Sequence, residues 1–385
     1  IWLIVGAFLF SRGFIKTGLG KRIAYNLIAA FGSSSLRLAY ALALSDLILA
    51  PATPSNTARV GGVIMPITTS LAKAFGSEPQ DGPRKIGSFL MQSIYQVNTI
   101  TSAMFQTSMA GNTLVAALAL QSFGIGITWG DWAMAAIVPG IIALIIMPYF
   151  IYKVYPPEIK DAREAQQMIR EELKGLGKMS FQEWVMLGVF VLALVLWATS
   201  QFTKIDATTV AFLGISILLA TSVLVWDDVK SEKGAWDTLV WMGTLMGFAG
   251  FLSKLGFIKW ATVLVGAYIP EGSWIIAFVI AVLINTYSHY VFASLTAHIS
   301  AMFVAFSAIA ISAGAPPMLT LLMIAFTSNL CMSLTHYAAG PSPVIFNTGY
   351  VPQNTWWKLG FFSSVINLII FVGLGSIWMK AIGMW

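Results

Sequence analysis

Apolar runs of three lengths follow one another along the chain, and length decides what each can become. A membrane-spanning helix needs roughly 20 apolar residues, whereas a run of 10–14 suits a re-entrant or interfacial segment. Residues 1–10 read as the end of a spanning helix, which predicts further helices upstream in the parent protein. Residues 18–31 alternate Lys21, Arg22 and Asn26 with Ile23, Ala24, Leu27 and Ile28, a pattern for lying along a membrane surface. Residues 38–75 form two apolar arms joined by the polar, proline-broken stretch 51–59, which predicts a hairpin with a buried tip. A polar loop follows, then an apolar run at 86–120 interrupted by Thr107-Ser-Met-Ala-Gly-Asn-Thr113, read as a broken helix. A span at 132–152 closes the first unit, 1–152.

The charged stretch 153–179 reads as a cytoplasmic linker with a helical pattern. Beyond it the order recurs over 180–385. Spans are predicted at 184–202, 208–226 and 239–255, followed by a second amphipathic segment at 256–267 and a second hairpin at 274–314. A broken helix at 318–348, interrupted around 333–343, and a final span at 361–379 complete the unit. The two tips align: Ser55 with Ser294, Thr57 with Thr296, Ala58 with Ala297, and Arg59 with His298. The same offset relates Trp2 to Trp241. An odd number of crossings lies between the units, so they run in opposite directions, and inverted repeats with discontinuous helices place substrate between them at mid-membrane. The fold class is therefore an all-α polytopic membrane protein with inverted repeats, two re-entrant hairpins and two broken helices.

Composition agrees, with 57% hydrophobic and only 10% charged residues, against about 25% charged in soluble domains. The net charge of +6 resides in short loops on the linker's side, as the positive-inside rule expects. It points to a lipid bilayer rather than to nucleic acid. Cys331 is the sole cysteine, so the chain makes no internal disulfide. Tryptophans near span ends, such as Trp129, Trp132, Trp184 and Trp274, read as interfacial anchors.

Helix breaks expose free N–H groups and a positive helix end, which together hold anions. Ser55, Asn56 and Thr57 at the first tip, and Ser294 and Thr296 at the second, add neutral donors. Thr107, Gly111, Asn112 and Thr113 on the first broken helix, and Thr335, Gly340, Pro341 and Ser342 on the second, are the other candidate substrate-binding residues. Arg59 and His298 stand just after the tips, where each would offset a substrate's negative charge; a pairing of Arg59 with Asp46 is the plainer alternative. An arginine at membrane depth costs roughly 2.5–3.5 kcal/mol on insertion scales, so either reading gives it a partner. His336 reads as a weaker cavity candidate and His289 as a packed arm residue. Nothing suggests an enzyme, a cofactor or a resident metal: HExxH, GxSxG and a nucleotide-binding glycine loop are all missing from the sequence. A membrane hydrolase built on Ser294 and His298, or an anion channel, is a weaker reading.

On these residues the chain resembles the divalent anion/sodium symporter family of INDY-type carboxylate transporters. The likeness rests on Ser55-Asn-Thr57, the degenerate Ser294-Leu-Thr296, and the broken segments around Asn112 and Gly340, and it runs over the whole chain. It is nearest to the exchanger branch, which resembles bacterial citrate/succinate antiporters and plastid 2-oxoglutarate/malate translocators. The resemblance implies an elevator-type transporter, a homodimer, and a location in a bacterial inner membrane or plastid envelope. Sodium-coupled members hold sodium between each tip and its adjacent broken helix. Here Leu295 replaces one tip amide, and Arg59 and His298 follow the tips. These departures favour a sodium-independent exchanger of di- or tricarboxylates such as succinate, malate, 2-oxoglutarate or citrate. A sodium-coupled symporter of the same fold is the alternative.

Overall fold

The computed structural model describes residues 2–256, 260 and 274–385. Among these the regular elements are all helical, and the one β-bridge pairs Ser34 with Asp161. Among the described residues seven helices are long and apolar enough to cross a membrane, and an eighth span arises if the bent pair Trp2–Thr17 and Leu19–Phe31 is counted as one. That pair bends by 64° at Gly18, whose φ of 73° is left-handed backbone that glycine adopts without strain. The predicted surface-lying segment is thus a helix turned sharply off the first span. Its counterpart at 256–267 lies almost entirely outside the described residues.

The two hairpins repeat residue for residue. Ser35–Leu49 and the 3-10 turn Ala50–Ala52 recur as Trp274–Ser288 and His289–Val291. After each turn the chain is extended, and a serine then caps the returning helix. Ser55 Oγ accepts the Ala58 N–H at 3.1 Å and Ser294 Oγ accepts the Ala297 N–H at 3.3 Å. A serine cap of this kind contributes about 1 kcal/mol. The first returning helix runs without interruption through Asn56–Arg59, a π-helical stretch Val60–Ile64 and Met65–Ala74. The second is Leu295–Ser312. Each arm is longer than the 10–14 residues of a typical re-entrant stretch, and it is the extended tip that reverses the chain.

The broken helices repeat as well. Gly87–Met104 breaks and resumes as Ala110–Phe123; Pro317–Leu334 breaks and resumes as Pro341–Phe346. Both breaks are narrower than their polar sequence signals. Gly111, Asn112 and Thr113 belong to the first turn of the resuming helix, because Met109 already acts as its N-cap. Pro341 likewise opens a helix, where its missing N–H costs nothing.

Five other boundaries differ from expectation, the first being the span predicted at 184–202, which is Phe181–Ala198. The span predicted at 208–226 is only Ala207–Ala220; the chain then turns through Ser222 (φ 56°) into the short polar helix Trp226–Ser231, whose Asp228 pairs with Lys16 at 2.5 Å. The next helix begins early, at Lys233, and runs to Lys254. Trp129–Val154 exceeds the predicted 132–152. Gln353–Ala381 starts well before 361 and carries a π-helical stretch at Ile369–Gly375. In the linker, Arg163–Gly175 is helical as expected, and Arg170 caps the end of Leu19–Phe31 through the Ala29 carbonyl at 3.0 Å.

Candidate functional site

Both tips and both breaks meet at one cavity of about 190 Å³. The first tip contributes Pro54, Ser55, Asn56 and Thr57; the second contributes Ala293, Ser294, Leu295 and Thr296. Met109 and Ala110 come from the first break, Ala339 and Gly340 from the second, and Phe8 from the first helix. Every one of these side chains is uncharged. The volume lies below the roughly 300–1,000 Å³ of drug-sized pockets and suits a small ion. Three long helical runs, beginning at Asn56, Ala110 and Leu295, start at the cavity wall, together with the short Pro341–Phe346. Their free N–H ends give the cavity positive potential without a formal charge.

The tips reach across to the opposite repeat. Thr57 lies against Gly340, where an added Cβ would come within 2.2 Å of Thr57 Oγ1. Asn56 Nδ2 faces Met332 Sδ at 3.5 Å. Ile299, in the second tip helix, covers Gly111, whose Cβ would fall 2.6 Å from Ile299 Cδ1. Glycine at 111 and 340 thus permits the close approach that forms the cavity.

Of the remaining predicted residues, Asn112, Thr107 and Ser342 stitch the breaks together behind the cavity wall. Asn112 Nδ2 donates to the Ser102 carbonyl at 2.8 Å and the Phe105 carbonyl at 2.9 Å, while its Oδ1 accepts from Asn329 Nδ2 at 2.7 Å. Thr107 Oγ1 donates to the Pro51 carbonyl at 2.6 Å, fastening the first break to the first tip. Thr113 donates to the Ala110 carbonyl at 3.0 Å. In the second break Tyr95 takes the place of Asn112. Its hydroxyl contacts the Met332 carbonyl, the Thr335 carbonyl at 3.2 Å and Ser342 Oγ at 2.8 Å. Thr335 Oγ1 is buried without a partner among the described residues. His336 accepts from Trp357 Nε1 at 3.0 Å and packs among aromatic rings.

Arg59 corrects the expectation of two free cations beside the tips. It is fully buried and pairs with Asp46 at 2.9 Å. Asp46 is itself held by Asn98 Nδ2 at 3.1 Å and by the Thr101 hydroxyl. Arg59 Nη1 donates to the Thr53 carbonyl at 2.8 Å and the Ser108 carbonyl at 3.0 Å. The guanidinium therefore sits between the first tip and the first break, neutralised, and outside the cavity lining. In the second repeat Asn285 stands where Asp46 does and His298 where Arg59 does. His298 Nε2 meets Ser288 Oγ at 3.0 Å, and Asn285 Nδ2 donates to Ser328 Oγ at 3.1 Å. One repeat carries an ion pair and the other a neutral set at the same place. The sequence held this signal, since the spacing from Asp46 to Arg59 equals that from Asn285 to His298. Tyr95, Phe8 and Met109 carried no comparable one.

A cavity ringed by two capped hairpin tips and two helix breaks, among helices long and apolar enough to cross a membrane, defines the class as a polytopic membrane transporter. The chain belongs to the sodium:sulfate symporter transmembrane region family, which it matches over residues 1–385. It is 52% identical to YflS of Bacillus subtilis (strain 168), whose name assigns it to malate transport, across 100% of this chain and 81% of that one. It is 46% identical to the chloroplastic dicarboxylate transporter 1 of Spinacia oleracea, across 100% of this chain and 68% of the relative. The inner membrane protein YbhI of Escherichia coli (strain K12) is 42% identical, over 100% and 80% respectively. Among solved structures, the YdaH transporter of Alcanivorax borkumensis shares the fold, with a TM-score of 0.64 at 10% identity, covering 98% of this chain and 85% of that one.

Proposed function

We propose that this chain is a secondary transporter of small dicarboxylates that works by sodium-independent exchange. Relatives named for malate and dicarboxylate transport support the substrate class, and the uncharged, N–H-rich cavity supports an anion as cargo. Ser55, Asn56, Thr57, Ser294 and Thr296 supply donors from both tips. Gly340 lets the first tip close on the second break. Thr107, Gly111, Asn112, Thr113, Thr335, Pro341 and Ser342 shape the breaks that present the helix ends. The reading includes an elevator movement, in which hairpins and broken helices travel as one body within a homodimer.

The observation that carries the exchange reading is Arg59 Nη1 on the Thr53 and Ser108 carbonyls. Those oxygens belong to the tip and its adjacent break, the kind of pair that would coordinate a sodium ion, and a guanidinium already satisfies them. In the second repeat, His289 Nε2 meets the Ala338 carbonyl at 2.9 Å, again placing a protein nitrogen between tip-side turn and break. A substrate that arrives without a co-transported cation leaves an empty carrier with no ion gradient to drive its return, so exchange is the productive cycle. The test is counterflow in proteoliposomes with labelled C4 to C6 carboxylates. Uptake is expected only with counter-substrate inside and with equal rates in sodium and potassium buffers. Uptake into empty vesicles driven by a sodium gradient would overturn the exchange reading and favour the sodium-coupled symporter.

A further inference from the structure

His289, His298 and Cys331 bring one ring nitrogen each and a thiol sulfur within 4.8 Å of one another, all fully buried. They come from three elements: the turn before the second tip, the first turn of the helix after it, and the end of the broken helix beneath both. Hydrogen-bond accounting fixes what each nitrogen offers. The Ala338 carbonyl can only accept, so His289 Nε2 carries the proton of their 2.9 Å contact. Ser288 Oγ donates its proton to the Asn285 carbonyl at 3.0 Å. It therefore accepts at 3.0 Å from His298 Nε2, which is protonated too. Both Nδ1 atoms are left with a free lone pair, and neither has a partner among the described residues. Two buried acceptors facing no donor cost free energy, and the two rings with the neighbouring thiol make a set of metal ligands.

We infer that this cluster is a binding site for a borderline transition-metal ion such as Zn2+. Two imidazoles and a thiolate match the preference of that ion, and three protein ligands leave one position for water. Metal–ligand bonds of about 2.0–2.3 Å in tetrahedral geometry place ligand atoms roughly 3.3–3.8 Å apart, so the cluster closes by about an ångström on loading. The Ala338 carbonyl and Ser288 hydroxyl act as the outer partners that orient each ring. Binding forms the metal–sulfur bond as Cys331 releases its thiol proton to solvent, while both imidazoles bind in neutral form. The ligands are side-chain nitrogen and sulfur from the second repeat alone, distinct from the hydroxyls and amides that line the cavity. A loaded ion clamps the second tip to its broken helix, and Ser294, Leu295 and Thr296 on that tip line the cavity. It also gives the second repeat a cation at the place where the first repeat has Arg59.

Co2+ serves as the probe, titrated into the purified full chain in detergent. One ion per chain is expected, with a thiolate-to-cobalt charge-transfer absorption that Zn2+ abolishes. Cys331→Ser is expected to lose that absorption, and His289→Gln to weaken binding at least about tenfold, with thermal unfolding confirming that each variant folds. Absence of the absorption in the folded wild type, or its persistence in Cys331→Ser, overturns the site. A transport readout, which rests on the exchange reading, adds the consequence: Zn2+ is expected to slow wild-type exchange and to spare Cys331→Ser. Cobalt binding with no effect of Zn2+ on transport would keep the site and remove the clamp.

Discussion

At the scale of the residue, the chain solves one problem in two ways. The place beside each tip must satisfy break carbonyls and the side chain that meets them, away from water. The first repeat uses Arg59 with Asp46; in the second, His298 and Asn285 at the same spacing meet the Ser288 and Ser328 hydroxyls, and His289 takes the break carbonyl of Ala338. Removing one partner of a buried pair leaves an uncompensated charge and costs about 3–5 kcal/mol. Asp46→Asn alone is therefore expected to destabilise the protein by that order, seen as a large fall in thermal unfolding temperature in detergent. Asp46→Asn with Arg59→His copies the second repeat and is expected to recover most of the loss. A single variant as stable as wild type, or a double variant no better than the single, contradicts this account. The Gly340 position gives a second residue-scale test. Alanine there drives a Cβ into Thr57 Oγ1, and overpacking of this kind costs about 1–3 kcal/mol. Gly340→Ala is expected to push the first tip away from the second break, lowering both stability and the substrate-induced rise in unfolding temperature. A normal substrate-induced shift would mean that the tip does not close on Gly340.

At the scale of the element, each break survives because side chains reach back to its carbonyls, Ser108 and Arg59 among them in the first. Unpaired backbone groups at membrane depth are tolerated only where protein or a water-lined cavity satisfies them. Asn112 does this in the first break, and Tyr95, from the other repeat's broken helix, does it in the second. Asn112→Ala removes two amide donors from carbonyls that Ser108 Oγ also meets, and Tyr95→Phe removes the single hydroxyl proton shared among Met332, Thr335 and Ser342, each at about 0.5–1.5 kcal/mol per hydrogen bond lost. Comparable falls in unfolding temperature are expected for the two variants. A destabilising Asn112→Ala beside a neutral Tyr95→Phe would show that the second break is held by other means. This also explains how far the sequence could be read. Apolar run lengths and the matched tips located both hairpins and both broken helices, since those signals are local and repeated. The polar cluster 107–113 marked the first break but overstated its width. Asn112 turns back from a helical position to serve the gap, so its polarity signals the break without lying in it. Tyr95 is far from Thr335 in sequence, and nothing local announces a stitch between repeats. Leu295 and Asn285 were legible only by aligning the repeats, which shows what the second site has lost relative to the first.

At the scale of the whole molecule, the repeats interlock rather than merely face each other. The first tip rests on the second break through Thr57 and Gly340, the helix after the second tip rests on Gly111, and Asn329 bridges to Asn112. A tip that moved alone would tear these contacts apart, so hairpins and broken helices are expected to travel together against the first helix and the spans after the linker. Gly61 and Val344 test this directly. They belong to opposite repeats, and a Cβ on Gly61 would lie 3.3 Å from Val344 Cγ1, within reach of disulfide geometry. In a Cys331→Ser background, Gly61→Cys with Val344→Cys is expected to crosslink on oxidation. Counterflow should remain at or near the rate of the reduced protein, because the lock lies inside the moving body. Exchange that stops on oxidation and returns on reduction would mean that the repeats slide past each other during transport. The interlocked cavity would then be one state of the site rather than its permanent frame.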